Sequence, residues 1–389
     1  MQIIGESTFT VGWLLKALEK RDATYVKLAE KSPVSQVRSA DISGGQGFGS
    51  NVYQCLISFE NEETYSVMLK VPRADKIAEE SKQHDDADLA IAYDVHNREC
   101  YFYENFAPLL QIPLPKVYAT REWYGKDEGC ILMENMGRFA STAKIQHGFG
   151  REEIMAIAGY LAKLQAHFLC EPNEEWKEKF NGDVFNTVHA NRFFSDILDM
   201  FLQKNPDHSV AVMVMKSLIK RQKSLDYVFT VHAREIGLPV SFVHGDLWTH
   251  NVMWKVDDEG KPTTELGAIL DWQMIHSGSP TFDLARFMAI SVDSDVRREL
   301  EPEALAHFHR TLLSELQKRD NIIEIKMNHL TEAYKINFIH QALHIVGLVE
   351  FFPDARDVLE KRATAALADV LKILRYMPFE VTDRILVDN

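Results

Sequence analysis

The sequence predicts an α+β chain, with a small antiparallel-sheet lobe first and a larger, mainly helical lobe after it. Three observations carry this. Residues 34 to 71 read as strand, glycine-rich loop, strand and strand. Beyond Gly137 the apolar period changes from that of a strand to that of a helix. Within the helical part, the polar stretch from Val243 to Asn251 is pinched between two short β-prone runs. The expected lobes cover residues 1–134 and 135–389. A chain of 389 residues is long enough for one large two-lobed domain or two conventional ones.

The elements follow in order. Val11, Leu14, Leu15 and Leu18 fall at helical spacing and predict a short N-terminal helix. Strands over Val34–Ile42 and Asn51–Phe59 flank Ser43-Gly44-Gly45-Gln46-Gly47-Phe48-Gly49-Ser50. Glycine lets a backbone approach a phosphate closely and offer it N–H groups. A dinucleotide or Walker loop must open a helix. This loop opens Val52-Tyr53-Gln54-Cys55-Leu56-Ile57, which is β-type, and no Gly-Lys-Ser/Thr follows. The third strand, Thr64–Val71, alternates Tyr65, Val67 and Leu69 on one face with Ser66, Met68 and Lys70 on the other. Lys70 is thereby fixed on a pleated face of an otherwise apolar strand.

Residues 73 to 94 are too polar for a core and predict a loop with an exposed helical turn. His96 to Phe106 predicts a helix with Cys100, Tyr103 and Phe106 inward. Pro113 and Pro115 break the chain before a strand at Lys116–Ala119, and Cys130–Met133 is the last strand of the first lobe. In the second lobe, Ile154, Ile157, Leu161, Leu164 and Phe168 make one buried helical stripe. Residues 173 to 236 read as several helices rich in Phe, Leu and Met. Strands at Leu238–Val243 and Val252–Val256 bracket the polar stretch, and Leu266–Leu270 returns after the turn Asp257–Pro262 to reach Asp271. Leu343, Val346 and Leu348, then Leu367, Val370, Leu371 and Leu374, predict closing helices.

Asp246 and Asn251 stand at the spacing Asp-x-x-x-x-Asn, and Asp271 ends an apolar strand one hairpin later. Either Asp alone is explained by the preference of Asp for turns and strand ends. The ordered set is not. In phosphotransferases the first Asp faces the attacking hydroxyl and the Asn holds magnesium on the phosphates.

His244-Gly245-Asp246-Leu247-Trp248 with Asn251, Asp271-Trp272-Gln273, and Asp283-Leu284-Ala285 resemble the choline-kinase-like and ecdysteroid-kinase-like small-molecule kinases. Those families are relatives of the aminoglycoside phosphotransferases and have a protein-kinase-like, bilobal fold. The resemblance implies ATP and Mg2+ as cofactors, with Asp246 as the catalytic residue and Asn251 and Asp271 as the metal ligands. It implies nucleotide contacts from Gly44, Gly45, Gly47 and Gly49, from Lys70 to the α/β-phosphates, and from Met133, Glu134 and Met136 around the adenine. Glu99 is the implied ion-pair partner of Lys70, with Glu104 as the rival. Asp283 either braces the catalytic loop or is a first-turn helix Asp after Ser279-Pro280. Trp248, Trp272 and His244 are expected to pack and hydrogen-bond around the loop.

Protein substrates are not expected. Gly245 replaces the Arg that protein kinases carry before the catalytic Asp, and only Met274–Pro280 separates Asp271-Trp272-Gln273 from the next helix. The expected acceptor is a small-molecule alcohol: lipophilic and ecdysteroid-like first, from Trp248 and the Asp271-Trp272-Gln273 mark, and choline or another cationic alcohol second. Outside the enzyme class the rival is a nucleotide-binding pseudokinase without turnover.

Net charge is −14, without a basic stripe to neutralise phosphates, so nucleic acid is not an expected partner. No run approaches membrane-spanning length, and Met1–Glu6 lacks a basic start before an apolar core. Cys55, Cys100, Cys130 and Cys170 are scattered, which suits free thiols in a reducing cytoplasm. The pairs His340/His344 and His307/His309 are the zinc alternatives, but His-Glu-x-x-His is absent. Gly-x-Ser-x-Gly is absent too.

Overall fold

The computed structural model describes residues 2–43, 49–73, 86–181 and 188–386. The chain divides into two compact units, Met1–Ala140 and Ser141–Asn389. The first is built on an antiparallel sheet and the second is mainly helical, so the fold is α+β.

Unit 1 opens with two helices where the sequence reading had one. Helix α1 (Val11–Arg21) ends at Asp22, whose carboxylate accepts the N–H groups of Thr24 and Tyr25 and so starts α2 (Ala23–Lys31). Strands β1 (Val34–Asp41), β2 (Ser50–Phe59), β3 (Thr64–Pro72), β4 (Val117–Arg121) and β5 (Cys130–Glu134) form one antiparallel sheet in the order β1-β2-β3-β5-β4. Tyr53, Cys55 and Ile57 of β2 and Tyr65, Val67 and Leu69 of β3 share a buried face packed with Leu14, Leu18 and Tyr25 of the two helices. That apolar burial removes one face of the sheet from water. Lys70 lies on the other face, opposite Val52 on β2 and Ile131 on β5.

The helix carrying Glu99 begins earlier than the polar composition suggested. Helix α3 runs from Asp86 to Tyr101, so residues 86 to 94 are helical and not loop. Ala92, His96, Glu99 and Cys100 are buried and recur at helical spacing, with Asp94 exposed on the outward face. The helix passes into a π-helical turn over Phe102–Phe106. A short strand β6 (Ala140–Thr142) lies at the division between the units.

In unit 2, α4 (Arg151–Leu169) buries Ile154, Ile157, Leu161, Leu164 and Phe168, the expected stripe. Helices α5 (Val188–Lys204) and α6 (Ser209–Ile219) follow, then a π-helical turn at Tyr227–Val231. Strand β7 (Ser241–Val243) leads into the polar stretch, and β8 (Val252–Val256) and β9 (Pro262–Ile269) form the hairpin behind it. β10 (His276–Gly278) pairs antiparallel with β7, in the segment read only as a connection. Helices α7 (Phe282–Ser291), α8 (Ser294–Gln317), α9 (Met327–Phe351), α10 (Arg356–Tyr376) and α11 (Phe379–Leu386) complete the unit. No helix among the described residues is long and apolar enough to cross a membrane.

Candidate active site

The parts in unit 1 come from β2, β3, β5 and α3. Lys70 Nζ lies 2.6 Å from Glu99 Oε2, and Glu99 is 1% exposed. Glu104 is instead bonded by the hydroxyl of Thr120. Val52, Met68, Ile131 and Met133 sit on the Lys70 face of the sheet, so the ammonium projects from an apolar floor. Glu134 donates its N–H to Lys116 O at 2.8 Å. Asn135 is tied to Ser66 Oγ and caps the turn Met136–Arg138 through Gly137 N. Gly49 has φ +84°. Gly44, Gly45 and Gly47 lie outside the described residues.

In unit 2 the polar stretch is held on every side by named partners. Gly245 has φ +85°, and a Cβ there would lie 2.2 Å from Met274 O, so the position requires glycine for both conformation and space. Asp283, in the first turn of α7, accepts the N–H of His244 at 2.8 Å and of Gly245 at 2.9 Å, one on each carboxylate oxygen. Both of its sequence readings are therefore met by one side chain.

The His244 ring joins the two chemical halves of the site. Its Nδ1 accepts from Asp246 N at 3.1 Å, and its Nε2 donates to Leu270 O at 2.9 Å, next to Asp271. Burial lowers its pKa, which suits a neutral ring with one donor and one acceptor nitrogen. A backbone bond from Leu270 N to Asn251 O, 2.9 Å, closes the same connection.

Asp246 is surrounded by donors. Arg286 forms an ion pair with its Oδ1, while Asn251 Nδ2 at 3.0 Å and Trp248 Nε1 at 3.3 Å reach Oδ2. Burial pushes its carboxyl pKa up; Arg286 opposes that and Asp271 adds to it. Asn251 Nδ2 also donates to Asp246 O at 2.8 Å. The amide nitrogen is thus committed to Asp246. Asp271 stands at the end of β9 with φ 65° and ψ 62°, a left-handed conformation uncommon outside glycine.

Trp272 is fully buried and donates to Ile269 O. His340 and His344 do share a helix face, with rings 4.8 Å apart. His309 is bonded to Ile325 O. Among the described residues no group of three or more His, Cys, Asp or Glu side chains could hold a metal ion.

Sequence reasoning missed Arg286 and the residues around it. Arg286 donates to Gln341 Oε1 at 3.1 Å, and its charge helps to depress the pKa of His340 and His344. The signal was present. Arg286 is a lone cation in the apolar run Phe282–Ser291, three residues after Asp283 and on the same helix face.

Known proteins resemble this chain at several levels. It is 24% identical over 360 residues to the Caenorhabditis elegans "Uncharacterized oxidoreductase dhs-27", covering 89% of the chain but 42% of that relative. The chain thus spans less than half of that protein's length. It is 21% identical over 334 residues to the C. elegans "Uncharacterized kinase-like protein D1044.1", covering 82% of the chain and 84% of the relative. Among solved structures, ADP-bound aminoglycoside phosphotransferase APH(2'')-Ib superposes with a TM-score of 0.38 and 15% identity, covering 89% of this chain and 99% of that one. Macrolide 2'-phosphotransferase MphH from Brachybacterium faecium gives a TM-score of 0.37 and 15% identity, covering 90% and 98%. A family profile, DUF1679, described as "Uncharacterized oxidoreductase dhs-27", matches residues 57–376. That span takes in Lys70, Glu99, Asp246, Asn251 and Asp271, and the chain belongs to this family.

Proposed function

We propose that the protein is an ATP- and Mg2+-dependent kinase of a small-molecule alcohol. The observation that carries this reading is the Asp246 loop: a carboxylate braced by Asp283, His244 and Gly245, with Asn251 bonded to it and Asp271 tied in through Leu270. Phosphoryl transfer asks a protein mainly for positioning and charge neutralisation.

In this reading Lys70, oriented by Glu99, meets the ATP phosphates, and the glycines from Gly44 to Gly49 add backbone N–H groups. Met133 or Met136 lies against the adenine, with Glu134 beside it. Asn251 Oδ1 and the Asp271 carboxylate would hold magnesium. Two oxygen donors suit that hard cation, which takes one or two carboxylates and completes its shell with phosphate oxygens and water. Bound there, magnesium neutralises charge on the phosphates. Asp246 accepts the proton of the acceptor hydroxyl as its oxygen bonds to the γ-phosphorus and ADP leaves. The acceptor is a neutral, lipophilic alcohol of the ecdysteroid-like kind, and the protein works in the cytoplasm.

The test is thermal unfolding with and without Mg·ATP, followed by ADP release against a panel of alcohols. A ligand at about a hundred times its Kd stabilises the folded state by about 2.7 kcal/mol. The expected result is a magnesium-dependent rise in Tm that Asp271→Ala abolishes, and turnover that Asp246→Asn reduces by about a thousandfold. No shift for the wild type at millimolar nucleotide would overturn the reading.

A further inference from the structure

Arg286 uses only part of its fork. One Nη donates to Gln341 and the other pairs with Asp246, while Nε, buried, has no hydrogen-bond partner among the described residues. The residue is 7% exposed, and no acceptor of the described protein reaches that donor. A buried donor left unmade costs about 1–3 kcal/mol, and each such group in a native protein calls for an explanation. A second buried atom without a partner among the described residues, Nε2 of His344, lies in the same group of side chains. Gln341 connects Arg286 to His340, whose ring stacks edge-on against His344. Outward from His344 come Phe194, 5.1 Å from its ring, then Phe193 stacked on Phe351 at the surface.

We propose that Arg286 is a specificity-determining residue for the acceptor, and that its Nε takes an oxygen on the carbon next to the one bearing the reacting hydroxyl. This rests on the kinase reading above. The reasoning is geometric. Nε and the Nη that holds Asp246 lie on one edge of a planar guanidinium, the edge that elsewhere grips two neighbouring oxygens at once. A hydroxyl donating to Asp246 therefore brings the oxygen on the adjoining carbon beside Nε. Asp246 is the more exposed of the two, at 19% of its side chain against 8% for Arg286, so the hydroxyl meets it first and the second oxygen seats one atom deeper. The chemical class is an α-oxygenated alcohol (a hydroxyketone or a vicinal diol) with an apolar body for Phe194, Phe193 and Phe351. A quaternary ammonium beside the hydroxyl, as in choline, would place a cation without a donor-accepting atom against the guanidinium.

A matched pair of probes tests this: 2-hydroxyacetophenone and 2-phenylethanol, which differ by one carbonyl next to the hydroxyl-bearing carbon. Their binding is measured by ligand-observed NMR without nucleotide, and their phosphorylation by ADP release with Mg·ATP. The wild type is expected to bind the hydroxyketone about tenfold more tightly, about 1.4 kcal/mol. Arg286→Lys, which keeps the charge and loses the fork, and Arg286→Gln are each expected to bring the ratio to about one. The inference is overturned if the wild type binds the two probes equally or binds neither, or if a folded Arg286 variant keeps the preference. A binding preference that survives without any ADP release leaves the site standing and sinks the kinase reading instead. The wild-type comparison does not depend on either variant folding.

Discussion

Gly49 and Gly245 have nearly the same backbone, φ +84° and +85°, and opposite surroundings. A Cβ on Gly49 meets no described residue within 4 Å, while one on Gly245 lies 2.2 Å from Met274 O. The first is a glycine of conformation alone. The second is also a glycine of contact, because the chain after Asp271 passes directly over it. The difference teaches that unit 2 locks its loop through backbone proximity, whereas no described residue crowds Gly49 in unit 1.

The largest expected effect breaks that comparison if it is wrong. Gly245→Ala combines left-handed strain with overpacking against backbone, and should lose about 4 kcal/mol of unfolding free energy. Gly49→Ala carries the strain alone and should lose about 1 kcal/mol. Urea midpoints for the two variants check this, and equal losses would refute it.

Acid sharpens the contrast in a second way. In unit 1 the tight contact is made by a side chain: a Cβ on Gly129 would lie 2.4 Å from His96 Nε2. Burial lowers the His96 pKa to about 4. Between pH 6.5 and 4 the unfolded chain binds the proton more readily, so the contribution of His96 is fully present above pH 6.5 and is lost as pH falls toward 4. About 2 kcal/mol should be gone by pH 5. Urea titrations at pH 7 and pH 5 should show a smaller loss for His96→Gln than for the wild type. His340 in unit 2, lowered to about 3 by burial and Arg286, acts in the same direction.

The smallest effect separates two neighbours on one helical segment. Glu99→Gln should weaken Mg·ATP binding about tenfold, about 1.4 kcal/mol, because Lys70 loses its buried partner. Glu104→Gln should change it less than twofold, since Glu104 holds Thr120. Isothermal titration distinguishes them, and equal weakening would return Glu104 to the site.

Much of this was legible in the sequence. Alternation in β3 fixed the side of the sheet that bears Lys70, and spacing tied Asp246 to Asn251. What stayed hidden lay where burial overrides local pattern. The start of α3 was lost because Asp86 to Asp94 shows polar residues whose inward neighbours become apparent only against the sheet. The second N-terminal helix hung on one residue, Asp22, closing one element and opening the next. β10 is three residues long and exists through its pairing with β7, which no local propensity records. Arg286 was read past because an apolar helix drew attention to its hydrophobic residues.

Asp271 holds a left-handed backbone without being glycine. Replacing it with glycine should relieve about 1 kcal/mol of strain, so a screen that rewards heat resistance alone would favour Asp271→Gly. On the proposed mechanism the same change removes a metal ligand. A stabilised version of this protein obtained by blind selection is therefore liable to be an inactive one, and Asp271 is the position to hold fixed when its thermal tolerance is engineered.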